Sequence, residues 1–188
     1  IILPASSVDK LDWSSSYVGN LEDSIIVRGG VIDRDAHWQR LDAPYQIQRD
    51  IQVAGTVEPR LSIESGTAVY FDPAVELVIG SGSPGSFSAV GTVEPILFGA
   101  SDASSGNWGG LRFADQCLSP IILENVIVEY GGSNGLGNIV WQSCDGTISN
   151  SSVTDSTSYG IYSVNATPTI SNVTYNNKAS GNLYPISD

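Results

Sequence analysis

The residues of this 188-residue chain that could do chemistry are one histidine, two cysteines and a scatter of carboxylates. His37 stands in Asp33-Arg34-Asp35-Ala36-His37-Trp38, which places an acid, a base and an aromatic ring side by side. Such a group could serve acid–base catalysis or hold a metal. It falls in the irregular N-terminal part of the chain, where a solvated loop packed by Trp38 is expected. Glu58 and Glu94 are the acids of a pentapeptide that occurs twice, Gly55-Thr56-Val57-Glu58-Pro59 and Gly91-Thr92-Val93-Glu94-Pro95. They would approach one another if the copies stacked; the expected role of each is a turn ahead of proline. Asp102, Asp115 and Asp145 fall in loops where calcium could be sought, but none has the dense alternating Asp/Asn spacing of a calcium loop. Gly131-Gly132-Ser133-Asn134-Gly135-Leu136-Gly137 precedes a strand pattern and not a helix, which argues against a phosphate cradle. No cofactor and no metal centre are therefore expected.

Charge narrows the partners. Twenty acidic residues against eight basic give a net charge of −12, whereas nucleic acid and anionic membranes both require a basic face. An anionic, pectin-like polymer is disfavoured on the same ground. No apolar run approaches the ~20 residues that span a bilayer, so no membrane insertion is expected. Ile1-Ile2-Leu3-Pro4 is too short for a signal peptide. Methionine is absent, which is expected of a processed product or an excised piece. The expected location is extracellular or at the cell surface, after removal of an export signal.

The elements that must position these residues show in a repeat. Ile148-Ser149-Asn150, Val153 and Ile161-Tyr162 return in the same order and at one constant offset as Ile170-Ser171-Asn172, Tyr175 and Leu183-Tyr184. One turn earlier, Leu123-Glu124-Asn125, Val128 and Ile139-Val140-Trp141 precede them with the order kept and the offset slightly stretched. Gly, Asn, Ser and Asp separate the apolar pairs, so each unit reads as three short alternating strands joined by turns. Self-similarity of this kind marks a solenoid, here one coil of a parallel β-helix.

The chain resembles the right-handed parallel β-helix, or pectate-lyase-like, family, in which an asparagine recurs at one sharp turn. Asn125, Asn150 and Asn172 would form that ladder. Upstream, the stretch from Trp38 through Pro44-Tyr45 and Ile51-Gln52-Val53, Leu61-Ser62-Ile63-Glu64-Ser65-Gly66-Thr67 and Trp108-Gly109-Gly110-Leu111-Arg112-Phe113 is similar to segments that open β-helices in bacterial secreted and surface proteins. The fold expected is all-β, a single-stranded right-handed parallel β-helix of about five to six coils, with residues 1–23 as a capping or strand-donating segment and residues 24–188 as the solenoid. The architecture hosts lyases, hydrolases, adhesins and inert spacers, so the resemblance speaks for fold and only weakly for function.

The repeat also sets the cysteines. Cys117 and Cys144 follow equivalent strands one coil apart. Coils stack ~4.8 Å apart, within the ~4.4 to 6.8 Å Cα separation that a disulfide tolerates. A bridge is feasible in an oxidising compartment; a stacked pair of free thiols is the alternative. Three Asn-x-Ser/Thr sequons begin at Asn150, Asn165 and Asn172. Two fall on the ladder, where a buried amide is expected, and chance matches explain them better than glycosylation.

Alternation assigns outward columns. On one strand row these are Val78, Arg112, Val140, Tyr162 and Tyr184. The resemblance makes this face the substrate groove of the enzymes, where carboxylates, calcium ligands and basic residues would stand. Here it offers one Arg, two Val and two Tyr, without the pair of carboxyls a glycosidase needs. On a second row Tyr70, Leu97 and Ile127 form an apolar outer stripe continued by Ser152 and Thr174. A bare stripe calls for a cover, and residues 1–23, carrying Leu11, Trp13, Tyr17 and Leu21, are the expected one, folded over their own solenoid or laid on a neighbour's. The last coil shows no capping element and is expected to meet another copy or a neighbouring domain. The function expected is a non-catalytic structural or self-assembling surface element. A carbohydrate-binding or adhesive module contacting glycans through Arg112, Val140, Tyr162 and Tyr184 is second, and an enzyme acting on polysaccharide third.

Overall fold

Short apolar runs punctuated by Gly, Asn and Asp cannot bury two faces alone, and the chain solves this by stacking each run on its equivalent in the next coil. The computed structural model describes residues 1–104 and 106–184; the end of the expected solenoid, 185–188, lies outside them. It is a parallel β-solenoid with three strand rows. The first row holds β1 (Ile2–Leu3), β2 (Ile25–Val27), β5 (Tyr45–Ile47), β8 (Ala68–Phe71), β11 (Ile96–Ala100) and β14 (Val126–Glu129). The second holds β3 (Gly30–Ile32), β6 (Ile51–Val53), β9 (Glu76–Ile79), β12 (Gly110–Phe113), β15 (Gly137–Gln142), β17 (Tyr159–Val164) and β19 (Gly181–Tyr184). The third holds β4 (Ala36–Trp38), β7 (Arg60–Ile63), β10 (Ser86–Val90) and β13 (Ile122–Glu124). Two longer strands, β16 (Thr147–Ser156) and β18 (Thr169–Lys178), run through the third row into the first. All pairings between these strands are parallel.

The second row has seven strands, hence about seven turns where five to six were expected. The early coils escape a search for a constant period because their lengths vary. Val27, Ile47, Phe71 and Ala100 stand one above another in the first row, and each coil between them is longer than the one before.

The core is a continuous apolar column with stacked aromatic rings in its middle coils. There Phe71 stacks on Trp108 at 4.2 Å and Phe113 on Trp141 at 4.3 Å between ring centroids. Each buried aromatic contributes roughly 1.5–3 kcal/mol by burial, and each stack about 0.5–1.5 kcal/mol more.

Asn125, Asn150 and Asn172 make the corner between the third and first rows with φ of 49°, 51° and 51°, a left-handed conformation that Asn tolerates better than other side chains. Asn125 Nδ2 donates to the Gly91 carbonyl at 2.7 Å, and Asn172 Nδ2 donates to Asn150 Oδ1 at 2.8 Å. The ladder stands at the expected turn, but Asn150 and Asn172 are exposed, not buried. Their amides bond to one another at the surface of the solenoid. The burial argument against the sequons at these two positions therefore falls away.

A disulfide joins Cys117 to Cys144, with Cα atoms 5.9 Å apart. It closes the corner that follows the second row. The next coil back turns there on Gly80 at φ 68°, where a Cβ would strike the Cys117 backbone.

The N-terminal segment folds onto its own solenoid, but over the end and not over the apolar stripe. β1 already pairs with β2, so sheet structure begins before residue 24. The 3-10 helix Ala5–Lys10 then buries Ala5 and Val8 against β3 and β4. Beyond it Leu11 and Tyr17 are partly buried against the core, while Trp13 is 78% exposed and Leu21 is fully exposed.

Candidate functional site

The second row brings the expected outward column of Val78, Arg112, Val140, Tyr162 and Tyr184 into register, and Gln52 and Val31 continue it into the earlier coils. Its accessibility differs from what alternation suggests. Val140 is 0% exposed and Val78 is also buried, so Val140 is unavailable to a glycan or partner. Larger side chains close around it: Arg112 and Tyr162 flank it in the column. Arg112 Nε donates to Glu76 Oε2 at 3.2 Å, and Glu76 Oε1 accepts from Asn134 Nδ2 at 2.9 Å. Glu76 thus engages the one cation of the column and anchors the glycine-rich loop at the same time.

Toward the last coil the face becomes aromatic. Tyr162 and Tyr184 stack at 4.4 Å with their planes 21° apart, and Tyr159 meets Tyr184 edge-on at 5.1 Å. Tyr159 escapes a reading by alternation because it sits at the strand start with the parity of core residues. Its in-register neighbours are Gly137 and Gly181; glycine on both sides leaves room for a ring, and that is the signal that could have found it.

The apolar stripe is split by register. Leu97 and Ile127 are paired, but Leu97 lies against Ala68, while Tyr70 lies against Gly99 and Gln46. A slip of two positions preserves the inside/outside alternation, so hydrophobic pattern cannot detect it. Tyr70 therefore heads a separate column, and all three residues are half-buried. Ile127, Ser152 and Thr174 line a shallow groove of about 270 Å³ beside the asparagine corner.

His37 lies on β4, not in a loop, and faces outward with Nδ1 3.0 Å from Ser62 Oγ. With Asp9, Asp35 and Arg60 it lines an open groove of about 390 Å³ beside the 3-10 helix. Asp35 is engaged there by the Arg60 backbone N–H at 2.9 Å. Glu58 and Glu94 are not brought together. Their pentapeptides occupy different corners, one between β6 and β7 and the other between β10 and β11, and Glu94 pairs with Arg40 at 2.9 Å. Asp102 accepts from Asn107, and Asp145 caps the Thr167 backbone. Among the described residues no three His, Cys, Asp or Glu side chains are grouped to hold a metal ion.

One carboxyl stands out that sequence reading did not select. Burial, and behind it the charge of Asp155, hold the Glu129 carboxyl above the ordinary carboxylate range. Glu129 ends β14, and its carbonyl accepts from Trp108 Nε1 at 2.7 Å.

Family models, curated proteins and solved structures yield no match to this chain.

Proposed function

We propose that the chain is a non-catalytic structural β-helix of an extracellular or cell-surface protein, one that holds its shape and joins other β-structure. The observation that carries this reading is the state of the second-row face. Its central valines, Val78 and Val140, are buried and its single cation is held by Glu76, so the position of a substrate groove is filled by the protein's own side chains. Kinship with the pectate-lyase-like β-helices belongs to the same proposal, with the architecture kept and the groove chemistry absent. An oxidising compartment agrees with the disulfide. Incubation with pectate, xylan, chitin and β-glucans should release neither reducing ends nor unsaturated sugars. Release from any of them would overturn the reading.

The tyrosine trio supports a second reading, a glycan-binding module, because aromatic rings on a neutral strand face suit sugar stacking. Glycan-array binding that is lost in Tyr162→Ala would favour it; an array without hits would remove it.

A further inference from the structure

The groove beside His37 holds two charged side chains that the fold leaves unmatched. Among the described residues β4 pairs with β7 alone, and the 3-10 helix packs against it. Arg34 Nη2 ties the helix down by donating to the Ser6 carbonyl at 3.1 Å. The groove on this flank measures about 390 Å³, at the lower end of the ~300–1,000 Å³ usual for small-ligand sites. Asp9 comes to it from the helix and Arg60 from β7, so β4 lies between them.

Both residues are half-buried. Asp9 Oδ1 is shut off from solvent without a hydrogen-bond partner. Among the described residues the ion pairs are Arg40–Glu94 and Arg112–Glu76, so the Arg60 guanidinium pairs with no carboxylate in a chain that has 20 acids. Even Asp35, its neighbour across the strands, is held by the Arg60 backbone N–H and not by the guanidinium. A charge withdrawn from water without a partner is costly, and two of opposite sign kept apart by one strand call for a ligand that meets both. Between them His37 Nδ1 is committed to Ser62 Oγ, and Gln39 Nε2 donates to the Leu11 carbonyl. That leaves His37 Nε2 and Gln39 Oε1 open to a ligand.

From these unmatched charges we infer that the groove binds a short peptide with free ends, its ammonium held by Asp9 and its carboxylate by Arg60. Strands lie ~4.8 Å apart, so the span from the helix across β4 to β7 is roughly 10 Å, the reach of about three extended residues at ~3.3–3.6 Å each. A carboxylate suits the guanidinium fork, and the peptide groups between the ends meet His37 and Gln39. A sugar fits less well, because no Trp, Tyr or Phe lines the groove. Phosphate and dicarboxylates are turned away by Asp9 and Asp35. The site goes beyond the structural reading proposed above and does not depend on it.

Isothermal titration calorimetry of the whole chain with triglycine is the test. Triglycine should bind with a Kd of about 1 mM or tighter. N-acetyl-triglycine, triglycine amide and free glycine, whose two charges sit on one carbon, should each bind at least roughly tenfold more weakly. Arg60→Gln and Asp9→Asn should each weaken triglycine by a similar factor, and Arg49→Gln, at an exposed site outside the groove, should leave it unchanged. Asp9→Asn keeps the side-chain shape, and circular dichroism checks that it folds; the capped peptides test the same two contacts on the unaltered chain. Absence of binding at about 10 mM triglycine, equal binding of the capped peptides or of glycine, or binding that survives both groove variants would overturn the inference. None of these results bears on whether sugars are released, so the two proposals fail separately.

Discussion

Asn150 and Asn172 show how one residue type can carry a corner. Each takes a left-handed backbone that a branched side chain would resist, and their amides then meet in the stack, Asn172 donating to Asn150 directly. Glu129 is the opposite case, a carboxyl that the fold holds at a disadvantage. Because its pKa is raised by burial and by Asp155, the folded state binds its proton more tightly than the unfolded chain does. The favourable contribution is therefore complete below the ordinary Glu pKa and disappears as pH rises through the raised value. Glu129→Gln should raise the melting temperature at pH 7 and leave it unchanged near pH 4, as thermal unfolding across that range would show. At this scale the sequence told which way a side chain points but not whether anything can reach it. Val140 points outward as alternation requires and is nonetheless inaccessible, because the size and lean of Arg112 and Tyr162 are three-dimensional facts. Tyr159 was hidden for a related reason: its space is made by two glycines that lie a coil away on either side.

Between neighbouring coils, covalent and non-covalent links act together. The Cys117–Cys144 bridge closes a loop with a sequence separation of 27 residues, and loop-closure entropy puts its contribution at about 3.5 kcal/mol. Cys117→Ser with Cys144→Ser should lower the unfolding free energy by up to that amount in urea titrations, with the mutated corner still folded. The bridge was legible because both cysteines follow strands whose apolar pairs repeat in plain order. Where the period loosens, legibility is lost. The coil from Phe71 to Ala100 is longer than the two before it, and there Tyr70 stands in a column apart from Leu97, since a slip of two positions leaves every apolar side chain on its proper face. The early coils differ in length from one to the next, which hides their number from a constant period. The 3-10 helix Ala5–Lys10 packs on β3 and β4 at the end of the solenoid and not along its flank. Exposed apolar positions on a flank resemble, in sequence, the need for a cover that the solenoid end actually has.

At the scale of the whole molecule, the acidic charge and the aromatic core share the same coils. Almost all of the acidic excess lies before residue 146, on the capped coils with the aromatic core. Like charges this dense repel one another across ordinary surface distances and are screened by salt. Raising sodium chloride from about 10 mM to about 500 mM should therefore increase the melting temperature by several degrees, measured by circular dichroism. Loss of the exposed Arg40–Glu94 pair offsets little of that gain. The disulfide has a further consequence when the molecule is pulled along its axis. Coils peeled from the Tyr184 side would lengthen the chain freely until Cys144 is reached. Beyond it, the segment between the cysteines, with its separation of 27 residues and about 90 Å of extended chain, is bypassed by the S–S bond and never enters the tether. Under tension the bond therefore withholds that length from the extended chain, and only a reducing environment releases it.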